Sequence, residues 1–181
     1  MDIDTANETK WTCVVDGEER EITVDTGTSK PYIMTLREVV GHRPLIYCAG
    51  SVIVEDEKGR VLLGRRADNH CWGYSGGGVE LGESVEECAC RELYEEMGLK
   101  AEEMELFTML SGRDAHWIYG NGDEVYFVDT VFICRKYSGK PIPQPGEVEE
   151  LRFFAPEEIE KEMISPPILR VFEKYLRRKL E

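Results

Sequence analysis

The chain has 181 residues, 41% of them apolar, with 36 acidic against 22 basic side chains and a formal net charge of −14. That length and apolar content suffice for one good core with at most a small appendage. The acidic excess excludes a general nucleic-acid or membrane-surface binder, because a phosphate-binding face needs clustered Lys and Arg, although local basic patches stay open.

Six cysteines, Cys13, Cys48, Cys71, Cys88, Cys90 and Cys134, are scattered without a CxxC pair, which fits reduced thiols better than a disulfide frame or a zinc site. No charged-then-apolar segment opens the chain and no apolar run approaches membrane-spanning length. The expectation is a cytoplasmic protein.

Residues 1–42 read as an addition to a core of 43–181. Lys10–Asp16 and Glu21–Val24 are strand-like with Asp16-Gly17 as the turn between them, so a hairpin is expected. It can pack on the core sheet or pair with another subunit, and an unpaired hairpin edge would favour a homodimer. Thr35 and Glu38 form a capping-box pattern ahead of Val39 and Val40, and Gly41 can end that short helix. Leu45–Glu55 is nearly continuous in apolar and small residues and reads as a buried strand. Residues 56–59 turn the chain, Val61–Arg65 forms the partner strand, and Trp72–Gly78 leads into the most acidic stretch. Arg65 and Arg66 are candidates to meet a diphosphate, since guanidinium forks match phosphate oxygens; solvation of a strand end is the alternative.

Between Gly77 and Leu99 the chain concentrates Glu83, Glu86, Glu87, Glu92, Glu95 and Glu96. Ser84 with Glu87 makes a capping box and Gly98 supplies the glycine expected past a helix end, so Val85–Met97 should be helical. At 3.6 residues per turn Glu92, Glu95 and Glu96 share one flank, while Val85, Ala89 and Leu93 form an apolar stripe on another. Clustered carboxylate oxygens suit a hard cation such as Mg2+ or Mn2+. On spacing alone a solvated acidic face is an equal alternative. Arg91 can pair with Glu87 or Glu95, one turn away on either side.

Gly77, five residues, Glu83, seven residues, then Arg91-Glu92-Leu93-Tyr94-Glu95-Glu96-Met97-Gly98-Leu99 occupies every fixed position of the Nudix box, G-x5-E-x7-R-E-U-x-E-E-x-G-U with U apolar. The chain thus resembles the Nudix hydrolases, metal-dependent enzymes that cleave nucleoside diphosphates linked to another group. The resemblance implies a mixed sheet between helices, an α/β/α sandwich of the α+β type. It implies Glu92, Glu95 and Glu96 as ligands of Mg2+ or Mn2+, with Glu83 as a further candidate ligand. Arg91 and Glu83 would help hold the loop and helix in shape. Gly77 and Gly78, after the basic pair and Trp72 in the order common to relatives, would border the substrate. Ser75 departs from the Pro common before the glycines, which touches loop stiffness more than chemistry.

After the acidic helix, Glu105–Leu110 reads as a strand. Ala115–Tyr119 and Glu124–Asp129 flank Gly120-Asn121-Gly122-Asp123, a strong hairpin signal. The segment YGNGDEVYFV is similar to one in a subset of Nudix proteins of this length. His116, Trp117, Tyr119 and Tyr126 are candidates to stack a base or ribose, with cross-strand packing as the alternative. Val131–Arg135 continues a long strand, and residues 139–146 form a loop with three prolines. The resemblance implies one more carboxylate from the region that follows, as ligand or base; Glu147 is the candidate, with Glu149 and Glu150 competing. Leu151–Phe154 is a strand, and helices are expected at Pro156–Met163 and Ile168–Leu180, the latter placing Ile168, Phe172, Tyr175 and Leu176 on one apolar face.

The expected activity is hydrolysis of a nucleoside diphosphate derivative by water activated at carboxylate-bound metal, with Glu92 or Glu147 as proton acceptor. A nucleotide sensor on the same fold would lose box carboxylates, and this chain keeps them. A prenyl diphosphate isomerase would need a catalytic cysteine and a histidine-bearing metal site, of which Cys71 and His70 are only a fragment.

Overall fold

The computed structural model describes residues 8–25 and 30–180, so the N-terminal extension lies partly outside the described residues. The elements run β1 (Glu8–Val15), β2 (Glu18–Asp25), α1 (Tyr32–Val40), β3 (Leu45–Glu55), β4 (Val61–Arg66), β5 (Trp72–Gly73), β6 (Ser75–Gly78), α2 (Val85–Met97), β7 (Leu99–Leu110), β8 (His116–Ile118), β9 (Glu124–Gly139), β10 (Val148–Phe154) and α3 (Leu169–Leu180). The strands join in one mixed sheet, β10-β4-β3-β9-β7-β1-β2, with β5 beside β4, β6 beside β3 and β8 beside β9. The pairs β3–β9 and β1–β7 are parallel and the rest antiparallel.

A helix covers each face. On one, Ala89, Cys90, Leu93 and Met97 of α2 bury against Val52, Val54, Leu62, Met104 and Phe132. On the other, Val171, Phe172 and Tyr175 of α3 bury against Ile53, Leu63, Val131 and Ile133. Alternation along β3 explains the division, since residues 52 and 54 must point opposite to residue 53. The layering is the expected α/β/α arrangement. Helix α2 sits unusually close to β3: a Cβ on Gly50 would fall 2.4 Å from the Val85 carbonyl oxygen.

Helix α2 spans the residues that its signals predict. Ser84 Oγ accepts from Glu87 N, Glu87 Oε2 accepts from Ser84 N at 2.7 Å, and Gly98 ends the helix in the left-handed region at φ 71°. Glu87 is therefore committed to the cap and is no partner of Arg91. The N-terminal hairpin adds β1 to the core sheet beside β7, burying Cys13, Val15, Ile22 and Val24 with α2. The outer edge strand β2 exposes Glu18, Glu19 and Glu21. Two of these edge acids, facing their copies across a strand pair, would repel.

Two expectations change. Helix α1 begins at Tyr32 rather than after Thr35, because its first N–H is taken by the Glu80 carboxylate at 3.0 and 3.1 Å, while Thr35 Oγ1 donates to the Tyr32 carbonyl. The expected helix over Pro156–Met163 is two 3-10 turns, Pro156–Glu158 and Lys161–Met163. Between them Ile159 and Glu160 are extended, and burial of Ile159 and Ile164 under α3 draws the chain out of a continuous helix.

Candidate active site

Arg91 organises the acidic flank of α2. Its Nε and Nη2 donate to the two oxygens of Glu83 at 2.8 and 3.1 Å, its Nη1 to Glu92 at 2.7 Å and to Glu95 at 2.9 Å, and its Nη2 to the Gly78 carbonyl at 2.9 Å. One guanidinium thus ties the loop ahead of α2 to three carboxylates. Burial works against the cation, but the carboxylates of Glu83 and Glu92 hold its pKa above the usual range. Glu83 Oε2 also accepts from Glu80 N at 3.0 Å, which closes the loop on itself.

One cation does not balance four acids. Burial pushes Glu92 up to about 7; Arg91 opposes this, and Glu95 and Glu147 add to it. Glu96 is pushed up to about 8 by burial and by Glu92, against hydrogen bonding that includes Gly76 N at 3.1 Å. Glu95 is raised as well, first by burial, against Arg91 and with Glu83 and Glu147 adding. The cluster is held in a state that added positive charge would relieve.

Beside it lies a cleft of about 190 Å³ lined by Arg66, Asp68, Tyr74, Glu96 and Glu147 among others. Glu147 reaches it because Ala67 N donates to its carbonyl at 2.9 Å, pinning the 139–146 loop to the end of β4. The structure therefore brings Glu92, Glu95, Glu96, Glu83, Arg91 and Glu147 into one region. Gly77 belongs to it through space: a Cβ there would fall 2.3 Å from Glu92 Oε1. A Cβ on Gly78 would meet the Tyr47 ring at 2.5 Å.

The other candidates separate. Arg66 lines the cleft, with Nε and Nη2 on the two oxygens of Asp68 at 2.9 and 2.8 Å. Arg65, on the opposite face of β4, pairs with Glu149 at 3.3 Å, which His70 also meets at 3.0 Å. Glu149 is thereby drawn from the competition with Glu147. Tyr126 stacks on His116 across the β8–β9 pair, centroids 4.6 Å apart, and is not among the cleft residues.

The Tyr47 ring lies beside Gly78 with the Phe127 ring 5.5 Å from it, and Tyr119 feels the charges of Arg66 and Asp68. Like Tyr126, neither Tyr47 nor Phe127 is among the cleft residues. Asp129 was missed from sequence alone. It is buried, accepts from Ser51 Oγ at 2.8 Å, and is pushed up to about 6 by burial against that bond. A lone acid in an apolar strand was the available clue.

The donor set is all carboxylate oxygen, which suits Mg2+ or Mn2+ and not a soft ion. Among the described residues no three acidic, histidine or cysteine groups converge on one point as they stand. Arg91 draws Glu92 and Glu95 to itself and Glu96 turns to Gly76 N, so ion binding would require these side chains to turn.

A family model described as the NUDIX domain matches residues 48–175. Among solved structures, the chain is similar to the MutT NUDIX hydrolase from Burkholderia pseudomallei, 27% identical with a TM-score of 0.60 over 74% of this chain and 97% of that one. It shares its fold with the MutT protein from Bacillus halodurans, 24% identical with a TM-score of 0.59 over 72% and 82%. Among curated proteins it resembles an RNA pyrophosphohydrolase from Shewanella pealeana, 46% identical over 57 residues, which is 32% of this chain. The chain spans about a third of the length of the curated relatives it matches. Among the described residues no helix is long and apolar enough to cross a membrane.

Proposed function

The chain belongs to the Nudix family, and from that premise we propose that it is a metal-dependent hydrolase of a nucleoside diphosphate linked to another group. The observation that carries this is the pair Glu92 and Glu96, both raised toward or above neutrality beside a cleft that also holds an arginine. Three helix carboxylates, two of them sharing one guanidinium with Glu83, are costly in a merely structural helix face. They are suited to hold Mg2+ or Mn2+ through Glu92, Glu95 and Glu96, with Glu83 and Glu147 in reach of the same region. When bound, the metal supplies charge neutralisation for phosphate oxygens and a water of lowered pKa.

The chain's own residues do the rest. Arg66 faces the cleft and presents its guanidinium to a phosphate oxygen, with Asp68 fixing its direction. Gly77 leaves room for Glu92, and Arg91 fixes the loop through Glu83 and the Gly78 carbonyl. Water attacks phosphorus, the anhydride P–O bond breaks, and the water proton passes to Glu92 or Glu147. Tyr47, Phe127 and Tyr119 offer aromatic faces to the nucleoside end. The products are a nucleoside monophosphate and a phosphorylated remainder. The protein acts in the cytoplasm on a small nucleotide substrate.

A panel of ADP-ribose, dinucleoside polyphosphates, nucleotide sugars and nucleoside triphosphates, assayed for phosphate or monophosphate release with Mg2+ or Mn2+, tests the reading. Turnover of at least one compound that is lost with chelator is expected. Binding without turnover across the panel would instead make the protein a nucleotide sensor.

A further inference from the structure

Strand β10 carries one residue more than its partner. Leu151 lies opposite Gly64 and Glu150 opposite Arg65, but Arg66 faces Val148, so Glu149 is bulged out of the β4–β10 ladder. Partners in an antiparallel pair project to the same face, and a one-residue slip reverses the side chains beyond it. An unbroken register would set Glu149 opposite Arg66, which lines the cleft. The bulge sets Val148 there instead. A Cβ on Gly64 would fall 3.1 Å from Val148 Cγ1 and 3.4 Å from Leu151 Cδ2, so both side chains share the Gly64 face. Gly64, Glu147 and Val148 line the cleft, and Glu149 does not.

Two side chains and a loop hold this arrangement. Glu149 Oε2 lies 3.3 Å from Arg65 Nε and Oε1 lies 3.0 Å from His70 Nδ1. His70 reaches it from a left-handed backbone, φ 57°, which histidine adopts more readily than most residues other than glycine. The loop fixes that conformation. His70 N donates to the Arg66 carbonyl at 3.0 Å, Arg66 N to the Cys71 carbonyl at 2.8 Å, and Cys71 N to Asn69 Oδ1 at 2.9 Å. The same loop sends Ala67 N to the Glu147 carbonyl at 2.9 Å. Bulges recur beside active sites, where the extra residue re-aims a side chain.

We propose that the bulge at Glu149 is a positioning device that decides which acid enters the cleft. Clamped by Arg65 and His70, Glu149 is kept away from Arg66, and Glu147 is turned in from the adjoining loop. This role rests on the reading that Glu147 acts in the cleft, as ligand or proton acceptor. Glu149, Arg65 and His70 are positioning residues that work through Glu147 and meet neither substrate nor metal. In the regular register the Glu149 carboxylate would take the Arg66 guanidinium that is otherwise open to a phosphate oxygen.

Two measurements test this role. Mg2+-dependent turnover is followed on the compound of the nucleotide panel that the wild type cleaves fastest. Glu149→Ala should lower kcat about 10- to 100-fold with KM little changed, the scale of a misplaced reacting group. Glu149→Gln keeps an acceptor oxygen for Arg65 and should restore most of the loss. In a Glu147→Gln background, Glu149→Ala should cause no further loss, because a residue that acts through Glu147 has nothing left to position. Hydrogen exchange needs no substrate. The Ala67 amide should exchange about 10-fold faster in Glu149→Ala, with the amides of α2 unchanged. Wild-type kcat in Glu147→Gln would remove Glu147 from the reaction, and this role of Glu149 with it. A loss in Glu147→Gln but none in Glu149→Ala, equal losses from Glu149→Ala in both backgrounds, or a wild-type exchange rate at Ala67 would overturn the positioning role alone.

Discussion

Glu55 and Glu96 are both carboxylates set against the sheet, and their surroundings drive them in opposite directions. Glu55, 2% exposed at the end of β3, accepts from Tyr175 Oη at 2.9 Å, Lys179 Nζ at 2.6 Å and Arg135 Nε at 3.0 Å. Burial opposes its charge, but Lys179, Tyr175 and Arg135 together hold its pKa below the usual carboxylate range. Glu96 is pushed up to about 8 by the same burial, because its strongest electrostatic neighbour is another acid, Glu92. A carboxylate with its donors around it fastens two elements, here α3 to β3. One left beside a second acid at a cleft lacks the positive charge that would settle it, and that is the mark of a site.

Neutralising each carboxylate breaks the comparison most directly. Glu96→Gln should cut metal-dependent turnover by roughly 100- to 10,000-fold, the scale of losing one electrostatic or proton-transfer group. The metal-free protein should melt no lower, since a repulsion is removed. Wild-type turnover in a steady-state assay would take Glu96 out of the site. Glu55→Gln should do the reverse, costing about 2 to 3 kcal/mol of stability in urea while leaving turnover intact at a permissive temperature. That cost is below the range for a fully buried pair because Arg135 is 45% and Lys179 27% exposed.

The two groups also predict pH dependences of opposite sign. Above about pH 4.5 the unfolded chain has lost the Glu96 proton that the folded chain retains up to about pH 8. In the metal-free protein this contribution therefore lowers stability steadily across that window. Glu55 contributes stability that is present above about pH 4.5 and is lost as acid titrates the folded carboxylate. Melting temperatures of wild type and Glu96→Gln from pH 5 to 8 should diverge by several degrees without metal. Millimolar Mg2+ should close the gap by raising the wild type. A gap that Mg2+ leaves open would mean that the cluster takes no cation.

What could be read from the sequence followed how local its cause was. Ser84, Glu87 and Gly98 lie within or beside α2, and its bounds came out as predicted. Helix α1 takes its cap from Glu80, 48 residues away, and its anchor from the Glu124 carbonyl, so Thr35 and Glu38 gave a start four residues late. Glu92, Glu95 and Glu96 were legible because one helix displays them at fixed spacing. The separation of Arg65 from Arg66 was not, because sheet register and the 139–146 loop decide which side chains meet the cleft. The turns that replace the expected helix at Pro156–Met163 likewise depend on what Ile159 and Ile164 find beneath them.

The smallest expected effects sharpen the comparison from inside α2 itself. Glu87 shares the helix with Glu96 but spends its oxygen on Ser84 N, a bond that a glutamine side chain can also accept. Glu87→Gln should therefore leave turnover unchanged and stability within about 0.5 kcal/mol, since only its charge near the positive end of the helix is lost. Ser84→Ala removes the acceptor for Glu87 N and should cost about 1 kcal/mol by urea titration. Because the two side chains serve one reciprocal cap, Ser84→Ala with Glu87→Ala should cost less than the sum of the single changes. Additive losses would mean that Glu87 stabilises α2 through its charge and not its bond. The contrast between satisfied and unsatisfied glutamates would then rest on field strength, not on hydrogen-bond partners.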